Sequence, residues 1–155
     1  MQKLTVLYDR AVALAKAPFT EGVALLLVRL ALAGVFWRSG RSKVVEGSWL
    51  QISDTTRFLF ETEYAAVPFP PALAAPMATF AEHLFPILLV LGLATRFSAL
   101  SLLGMTLVIQ LFVYPDAWWQ VHVLWTALAA MLIVRGGGVL SLDHALARMR
   151  AGLRG

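Results

Sequence analysis

The sequence contains no cysteine among its 155 residues. This absence excludes disulfide bonds, thiolate metal sites, redox exchange through a Cys-x-x-Cys pair and cysteine nucleophiles. The remaining polar residues form no recognisable set of nucleophile, base and orienting group. The sequence therefore favours a protein that is not itself an enzyme.

Charged residues are also scarce, at 14% of the chain, while 59% is hydrophobic and the mean hydropathy is +0.75. A soluble domain is about a quarter charged, so these values indicate lipid as the solvent. The net charge of +4 does not indicate nucleic acid, because the basic residues flank apolar blocks instead of forming a stripe with interleaved aromatics. We expect the lipid bilayer as partner and no nucleic acid.

What the sequence does contain is four long apolar blocks, at residues 22–40, 72–94, 97–114 and 118–134. At about 1.5 Å per residue they are roughly 26 to 35 Å long, which matches a hydrocarbon core of about 30 Å. The sequence therefore predicts an all-α fold, a four-helix transmembrane bundle in a single membrane domain. Residues 1–18 lack the apolar core of a cleavable signal, so the first block is expected to be an uncleaved anchor.

Three further segments have the pattern of short interfacial helices. One apolar face at the N-terminus contains Leu4, Leu7 and Leu14, and another at the C-terminus contains Leu142 and Leu146. The third segment, residues 53–64, lies between the first two blocks. At the C-terminal segment, either Ser141 or Asp143 is expected to cap the helix.

The distribution of Lys and Arg predicts the orientation in the membrane. One side is expected to carry Lys3, Arg10, Lys16, Arg96, Arg135, Arg148, Arg150 and Arg154. The other is expected to carry Arg38, Arg41, Lys43 and Arg57, offset by Glu46, Asp54, Glu61 and Glu63. Because the first set is larger, the positive-inside rule places both termini in the cytoplasm of a bacterium, with the protein in its inner membrane.

Ionisable residues inside a membrane span cost about 2.5–3.5 kcal/mol each on insertion scales, so each one requires an explanation. Arg29 lies about 10 Å and Glu82 about 18 Å from the same predicted face, and an extended arginine would close that gap. We therefore expect an Arg29–Glu82 pair. It is either a functional site for a proton, a substrate or a quinone head group, or an ion pair that holds two helices together.

Pro86 supports a special role for Glu82. A proline inside a helix leaves the carbonyl four residues earlier without its donor, and that carbonyl belongs to Glu82.

A second polar layer is predicted near the opposite face, where Gln110 and His122 are each about 6 Å deep and should meet. His83 adds another polar group. A metal site would use His83 and His122, with methionine as a soft ligand for copper. The alternative is an interfacial histidine bonded to Gln110, and we expect no metal site because two histidines without a spacing motif do not define one.

Arg38, Arg41 and Lys43 form a basic cluster at the predicted outer face. It either attracts anionic substrates or lipid head groups, or is a solvated helix end whose long side chains extend to water.

Several of these residues resemble the DoxX family of small four-helix bacterial membrane proteins. The resemblance rests on Arg29, on Ser39-Gly40 followed by Lys43, on Glu82, on GLATR at 92–96, on GGG at 136–138 and on SLD at 141–143. It covers residues 25–146 and implies a cytoplasmic-membrane four-helix bundle. Family members have been linked to a thiosulfate:quinone oxidoreductase and to assemblies that handle oxidative or sulfur stress. The lack of cysteine argues against a direct sulfur relay here.

Residues 36–40 and 104–115 further resemble members encoded beside metal-responsive peptide-maturation genes, which suggests metal-stress handling. The leading hypothesis is an accessory or scaffold subunit of a membrane assembly in redox or metal-stress handling, with a polar site around Glu82. The alternatives are a quinone-linked oxidoreductase subunit and a small transporter of a metal or metabolite. No cofactor is predicted, although quinone or copper would suit these alternatives. Membrane or peripheral protein partners and association with copies of the chain are expected.

Overall fold

The computed structural model describes residues 2–153, and these residues are all-helical, as predicted. Over this range the α-helices are α1 Gln2–Ala15, α2 Pro18–Ser42, α3 Asp54–Thr62, α4 Pro71–Leu91, α5 Thr95–Phe112, α6 Val123–Arg135 and α7 Leu142–Gly152. Arg154, which contributes to the charge balance above, lies outside the described residues.

Four segments are long and apolar enough to cross a membrane, which confirms the number predicted: Pro18–Ser42, Pro71–Leu91, Thr95–Phe112 and Pro115–Arg135. The first is longer than the predicted block at 22–40. Pro18 begins α2 at a position where its missing N–H costs nothing, and the helix continues through Arg38 and Arg41 to Ser42. Hydropathy alone does not detect these polar helical turns.

The fourth span is less regular than predicted. Pro115–Ala117 forms a 3₁₀ turn and Trp118–His122 a π-helical turn before α6 begins at Val123. A π turn inserts one extra residue and shifts the side chains that follow it. His122 lies at the end of this turn.

The four long segments contact one another in a cycle: α2 packs against α4 and α6, and α5 packs against the same two helices. Their shared core consists of Leu25, Leu32, Ala33, Phe36, Leu89, Ala99, Leu102, Ala129 and Leu132. Many other large apolar side chains are exposed, among them Leu27, Phe80 and Leu111. An exposed apolar surface of this extent is compatible with lipid and not with water. We call the end where α2 begins the near end, and the opposite end the far end.

Three short helices occupy the segments that were predicted to lie on the membrane surface: α1, α3 and α7. Their position relative to a bilayer stays a prediction. Ser141 is the residue that caps α7, since its hydroxyl accepts from the His144 amide at 3.2 Å. Asp143 has a different role, described below.

Candidate functional site

Glu82 lies in the middle of α4, is only 2% exposed, and is paired with Lys43 at the far end of α2. The ammonium nitrogen of Lys43 is 3.0 Å from Oε1 and 2.7 Å from Oε2 of the carboxylate. The hydroxyl of Ser39 donates to Oε1 at 3.1 Å and accepts from Lys43 at 2.8 Å. We call these three residues, Ser39, Lys43 and Glu82, the far-end triad.

The loop after α2 holds Lys43 in place. The backbone carbonyl of Lys43 accepts from the Ser53 amide at 3.1 Å and from the Thr56 hydroxyl at 2.9 Å. Val44 and Ile52 form an isolated antiparallel bridge that closes this loop. The side chain of Lys43, 8% exposed, is directed inward to Glu82 instead of extending to solvent.

Gly40 allows α2 to approach α4 at the level of Glu82. A Cβ atom at Gly40 would lie 2.9 Å from Cε1 of His83, closer than real Cβ contacts, and 3.1 Å from Cβ of Glu82, tighter than most of them. His83 is buried against the edge of Trp37, with ring centroids 5.1 Å apart. Its Nδ1 is 2.7 Å from the Thr79 carbonyl, so Nδ1 carries the hydrogen. Its Nε2 has no hydrogen-bond partner among the described residues.

A cavity of about 420 Å³ opens beside the triad, between α4 and α5. Lys43 and Glu82 form its polar end. Apart from the Tyr64 hydroxyl, the remaining walls are apolar and comprise Met77, Ala78 and Ala81 of α4, Gly104, Met105 and Val108 of α5, and residues of α3 and the segment after it. Met77 and Val108 are exposed on the outer surface of the helices. The volume lies within the range of about 300–1,000 Å³ that small-molecule sites have.

Phe60 of α3 and Tyr64 after it cover the cavity from the far end. Their rings stack with centroids 4.7 Å apart, and Tyr64 meets Tyr114 edge-on at 6.4 Å. The Tyr114 hydroxyl donates to Glu63 at 2.6 Å, which ties this cover to the end of α5. Burial, followed by the influence of Tyr114, Glu82 and Glu63, raises the pKa of Tyr64 to about 12. Tyr64 is therefore neutral at physiological pH.

The predicted Arg29–Glu82 pair is wrong. Arg29 is fully buried, and its guanidinium donates to the carbonyls of Leu89 at 3.2 Å, Val90 at 3.4 Å and Leu140 at 2.5 Å. The last carbonyls of a helix lack the regular helical donor, and here Leu89 accepts from the Gly92 amide at 3.1 Å as well as from Arg29, which also ties the loop before α7 to the same point. Counting residues gave a depth along the helix only, and it did not anticipate that backbone carbonyls could compete with Glu82 for Arg29.

Gly92 and Asp143 complete this near-end arrangement, which we call the Arg29 clamp. Gly92 ends α4 at φ 67°, and a Cβ there would lie 2.1 Å from Nη1 of Arg29. The Asp143 carboxylate accepts from the amides of Ala94 and Thr95, at 2.8 Å each, and so caps α5 from α7. A carboxylate is well suited to this helix N-terminus because of the helix dipole.

Gln110 and His122 meet as predicted. Nδ1 of His122 is 2.7 Å from Oε1 of Gln110, whose amide nitrogen donates to the Pro115 carbonyl at 2.5 Å. The His122 ring also lies against Trp125, with centroids 5.2 Å apart. This polar pair joins α5 to the fourth span.

The two histidines proposed as weak metal ligands do not form an assembled ligand set. Within residues 2–153 no three His, Asp or Glu side chains are grouped so that they could hold a metal ion. His83 and His122 each direct Nδ1 at a different partner. These contacts do not test whether the protein binds copper.

The basic cluster at the end of α2 is divided. Arg38 is exposed, Arg41 donates to the Ser48 carbonyl at 2.8 Å, and Lys43 is buried in the far-end triad.

Sequence reasoning missed Ser39 and Lys43 as partners of Glu82. Their spacing of four residues, which places both on one face of a helix, was the available signal.

The residues that carried the family resemblance form two groups. Ser39, Gly40, Lys43 and Glu82 meet at the far end. Arg29, the turn after α4, and the segment from Gly136 to Asp143 meet at the near end. Leu32, Phe36 and Leu89, each at most 1% exposed, belong to the apolar core between them.

Four apolar spans, an apolar outer surface and a buried ion pair define an integral membrane protein. The profile of the DoxX family matches residues 24–115. The chain is 33% identical over 131 residues to an uncharacterized protein of Haemophilus influenzae, covering 79% of this chain and 83% of that one. The chain belongs to the DoxX family. No solved structure matches it.

Proposed function

We propose that this protein is an accessory subunit of a membrane assembly that holds a small lipophilic molecule in the cavity beside the far-end triad. The observation that carries this proposal is the juxtaposition of apolar walls and a buried ion pair. The cavity of about 420 Å³ is apolar except for Lys43 and Glu82 at one end and the hydroxyl of Tyr64 in its cover. A long apolar body with one polar head group would match both parts.

Access from the bilayer follows from the position of the cavity. Its walls on α4 and α5 include exposed apolar side chains, so a molecule dissolved in lipid would enter sideways between these helices. Gly104 contributes to this opening, because no atom lies within 4 Å of the place where its Cβ would be.

Both termini are proposed to face the cytoplasm of a bacterial inner membrane, by the positive-inside rule. The near end would then be cytoplasmic, α1 and α7 would lie on that surface, and the cavity would open in the outer half of the bilayer. The test uses two variants, Leu4→Cys and Trp49→Cys, and an impermeant thiol reagent applied to intact cells. Only the cysteine at position 49 should react. Labelling of the Leu4 position alone would contradict it.

A quinone-linked redox subunit is the second candidate, because a single ring carrying polar oxygens would also fit an apolar cavity with a polar end. Handling of redox or metal stress is proposed on family resemblance alone. A transporter of a metal or metabolite is disfavoured, because it would need a polar path through the bundle. An apolar core separates the far-end triad from the Arg29 clamp instead.

The test is purification in lipid nanodiscs, extraction of lipophilic molecules and their identification by mass spectrometry. We expect a lipophile that copurifies with the wild type and is lost in Gly104→Leu, whose side chain fills the groove. Gly34→Leu is the matched control. Gly34 is also open to its surroundings but does not line the cavity, so the lipophile should be retained. Equal lipophile content in all three proteins would contradict the proposal.

A further inference from the structure

The hydrogen bonds of the far-end triad indicate which kind of head group its cavity accepts. An ammonium group has three hydrogens to donate and no lone pair to accept with. Lys43 has three oxygen acceptors in hydrogen-bond geometry: the Ser39 hydroxyl at 2.8 Å, Oε1 of Glu82 at 3.0 Å and the Ser39 carbonyl at 3.4 Å. Lys43 therefore has no hydrogen left for a ligand.

The hydroxyl hydrogen of Ser39 is used as well, because it is donated to Oε1 of Glu82 at 3.1 Å. Oε1 thus accepts two hydrogen bonds, one from Ser39 and one from Lys43.

Oε2 of Glu82 is different. It lies 2.7 Å from the Lys43 nitrogen, with which it forms an ion pair, and no described residue other than Lys43 approaches it as a donor, so it retains an acceptor position without a donor. A carboxylate oxygen has room for two acceptor interactions, and a buried one without a donor is costly. The unused hydrogen-bonding capacity of the triad is therefore that of an acceptor.

We infer that the cavity selects an uncharged lipophile that carries a hydrogen-bond donor, namely a phenol or an alcohol, which donates its hydroxyl hydrogen to Oε2 of Glu82. This inference rests on the proposed function. A head group that only accepts, such as a ketone, a quinone carbonyl or an ether, finds no free donor in the triad. A charged head group is disfavoured, because the Lys43–Glu82 pair is neutral overall and each partner repels one sign of charge.

Tyr64, on the covering side of the cavity, does not set this preference. Its neutral hydroxyl can either donate or accept, so it serves both kinds of ligand equally.

The experiment compares two probes that differ only in the donor, para-hexylphenol and its methyl ether, para-hexylanisole. Binding to the protein in nanodiscs is measured by equilibrium dialysis, with empty nanodiscs as the baseline for partitioning into lipid. We expect the phenol to bind about tenfold more tightly or better, as a hydrogen bond to a charged acceptor implies. Gly104→Leu should abolish the binding of both probes.

Ser39→Ala provides the second variant. It removes one acceptor from Lys43 and also one donor from Oε1 of Glu82, so the triad gains a free N–H and a further free acceptor position, while the ion pair remains. The ether should then gain affinity relative to its binding to the wild type, while the phenol keeps its acceptor. Ether binding that is no tighter in Ser39→Ala than in the wild type would show that the hydrogen bonds of Lys43 do not exclude ligands that only accept, and the inference would fail.

The remaining outcomes separate the inference from the proposed function. If the two probes bind equally, or if the ether binds more tightly, and Gly104→Leu abolishes this binding, the selection of donors is overturned. The lipophile site itself would still be supported. If neither probe binds above the lipid baseline, or if Gly104→Leu changes nothing, the site itself is refuted and the inference is refuted with it.

Discussion

The ammonium of Lys43 lies between the two carboxylate oxygens of Glu82, 3.0 Å from one and 2.7 Å from the other. Lys43 directly follows the end of α2, and Glu82 lies in the middle of α4. Their pairing places a neutral but strongly polar group at the end of an otherwise apolar cavity. We expect the stability of the fold to depend on it and, under the proposed function, the choice of ligand as well.

Lys43→Met should destabilise the protein strongly. It leaves the Glu82 carboxylate buried and unpaired, and breaking a buried ion pair in this way costs about 3–5 kcal/mol. The free energy of unfolding, measured by denaturant titration in mixed detergent micelles, checks this. The double variant Lys43→Met with Glu82→Leu should recover most of the loss, since no charge is then left unpaired. A single variant as stable as the wild type would contradict the pairing.

Gly40→Ala and Gly34→Ala should act in opposite directions, although both lie in α2. At Gly40 the added methyl group would lie 3.0 Å or less from the His83 ring, so α2 and α4 must separate, which costs about 1–3 kcal/mol. At Gly34 it meets nothing within 4 Å, and alanine favours the helix by up to about 1 kcal/mol. Comparing the melting temperatures of the two variants tests the close approach. Equal shifts would argue against it.

Arg29→Leu should destabilise the protein without altering the cavity. The carbonyls of Val90 and Leu140 lose the Arg29 donor, Leu89 keeps only the Gly92 amide, and a buried carbonyl left unpaired costs about 1–3 kcal/mol. Lipophile binding by the folded fraction should remain unchanged, because the Arg29 clamp lies at the opposite end from the cavity. Loss of ligand affinity in excess of the loss of folded protein would show that Arg29 acts at the site after all.

Tyr64 should produce a pH dependence at strongly alkaline pH. Its pKa is raised to about 12 in the folded protein from 10.0 in the unfolded chain, so the folded state holds this proton more tightly. The stabilisation it provides is therefore complete below pH 10 and declines as the pH rises towards about 12. The near-ultraviolet absorbance difference between wild type and Tyr64→Phe should show this phenolate forming with a midpoint near pH 12. A midpoint near 10 would mean that Tyr64 is not covered.

The features of the fold that could be predicted from the sequence are those set by the surrounding lipid and by the pattern of nearby residues. Four apolar blocks of membrane length have few other solutions than membrane helices, because every backbone group must be satisfied internally in lipid. Pro18 and Gly92 then mark helix ends by their own backbone preferences. The contact between Gln110 and His122 was predictable because a short connection fixes the relative depth of two consecutive helices.

Partner choice at Glu82 and Arg29 was decided only by the tertiary structure. Counting residues gives depth along a helix but not rotation about its axis, and it ignores the backbone carbonyls that compete for a buried guanidinium. Arg29 therefore binds carbonyls at the near end, while Lys43, one helical turn after Ser39 at the end of α2, pairs with Glu82. The sequence by itself determined that one acid is buried among apolar helices. The side on which that acid finds its counter-charge, and the cavity beside it, follow from how four helices and one returning loop pack together.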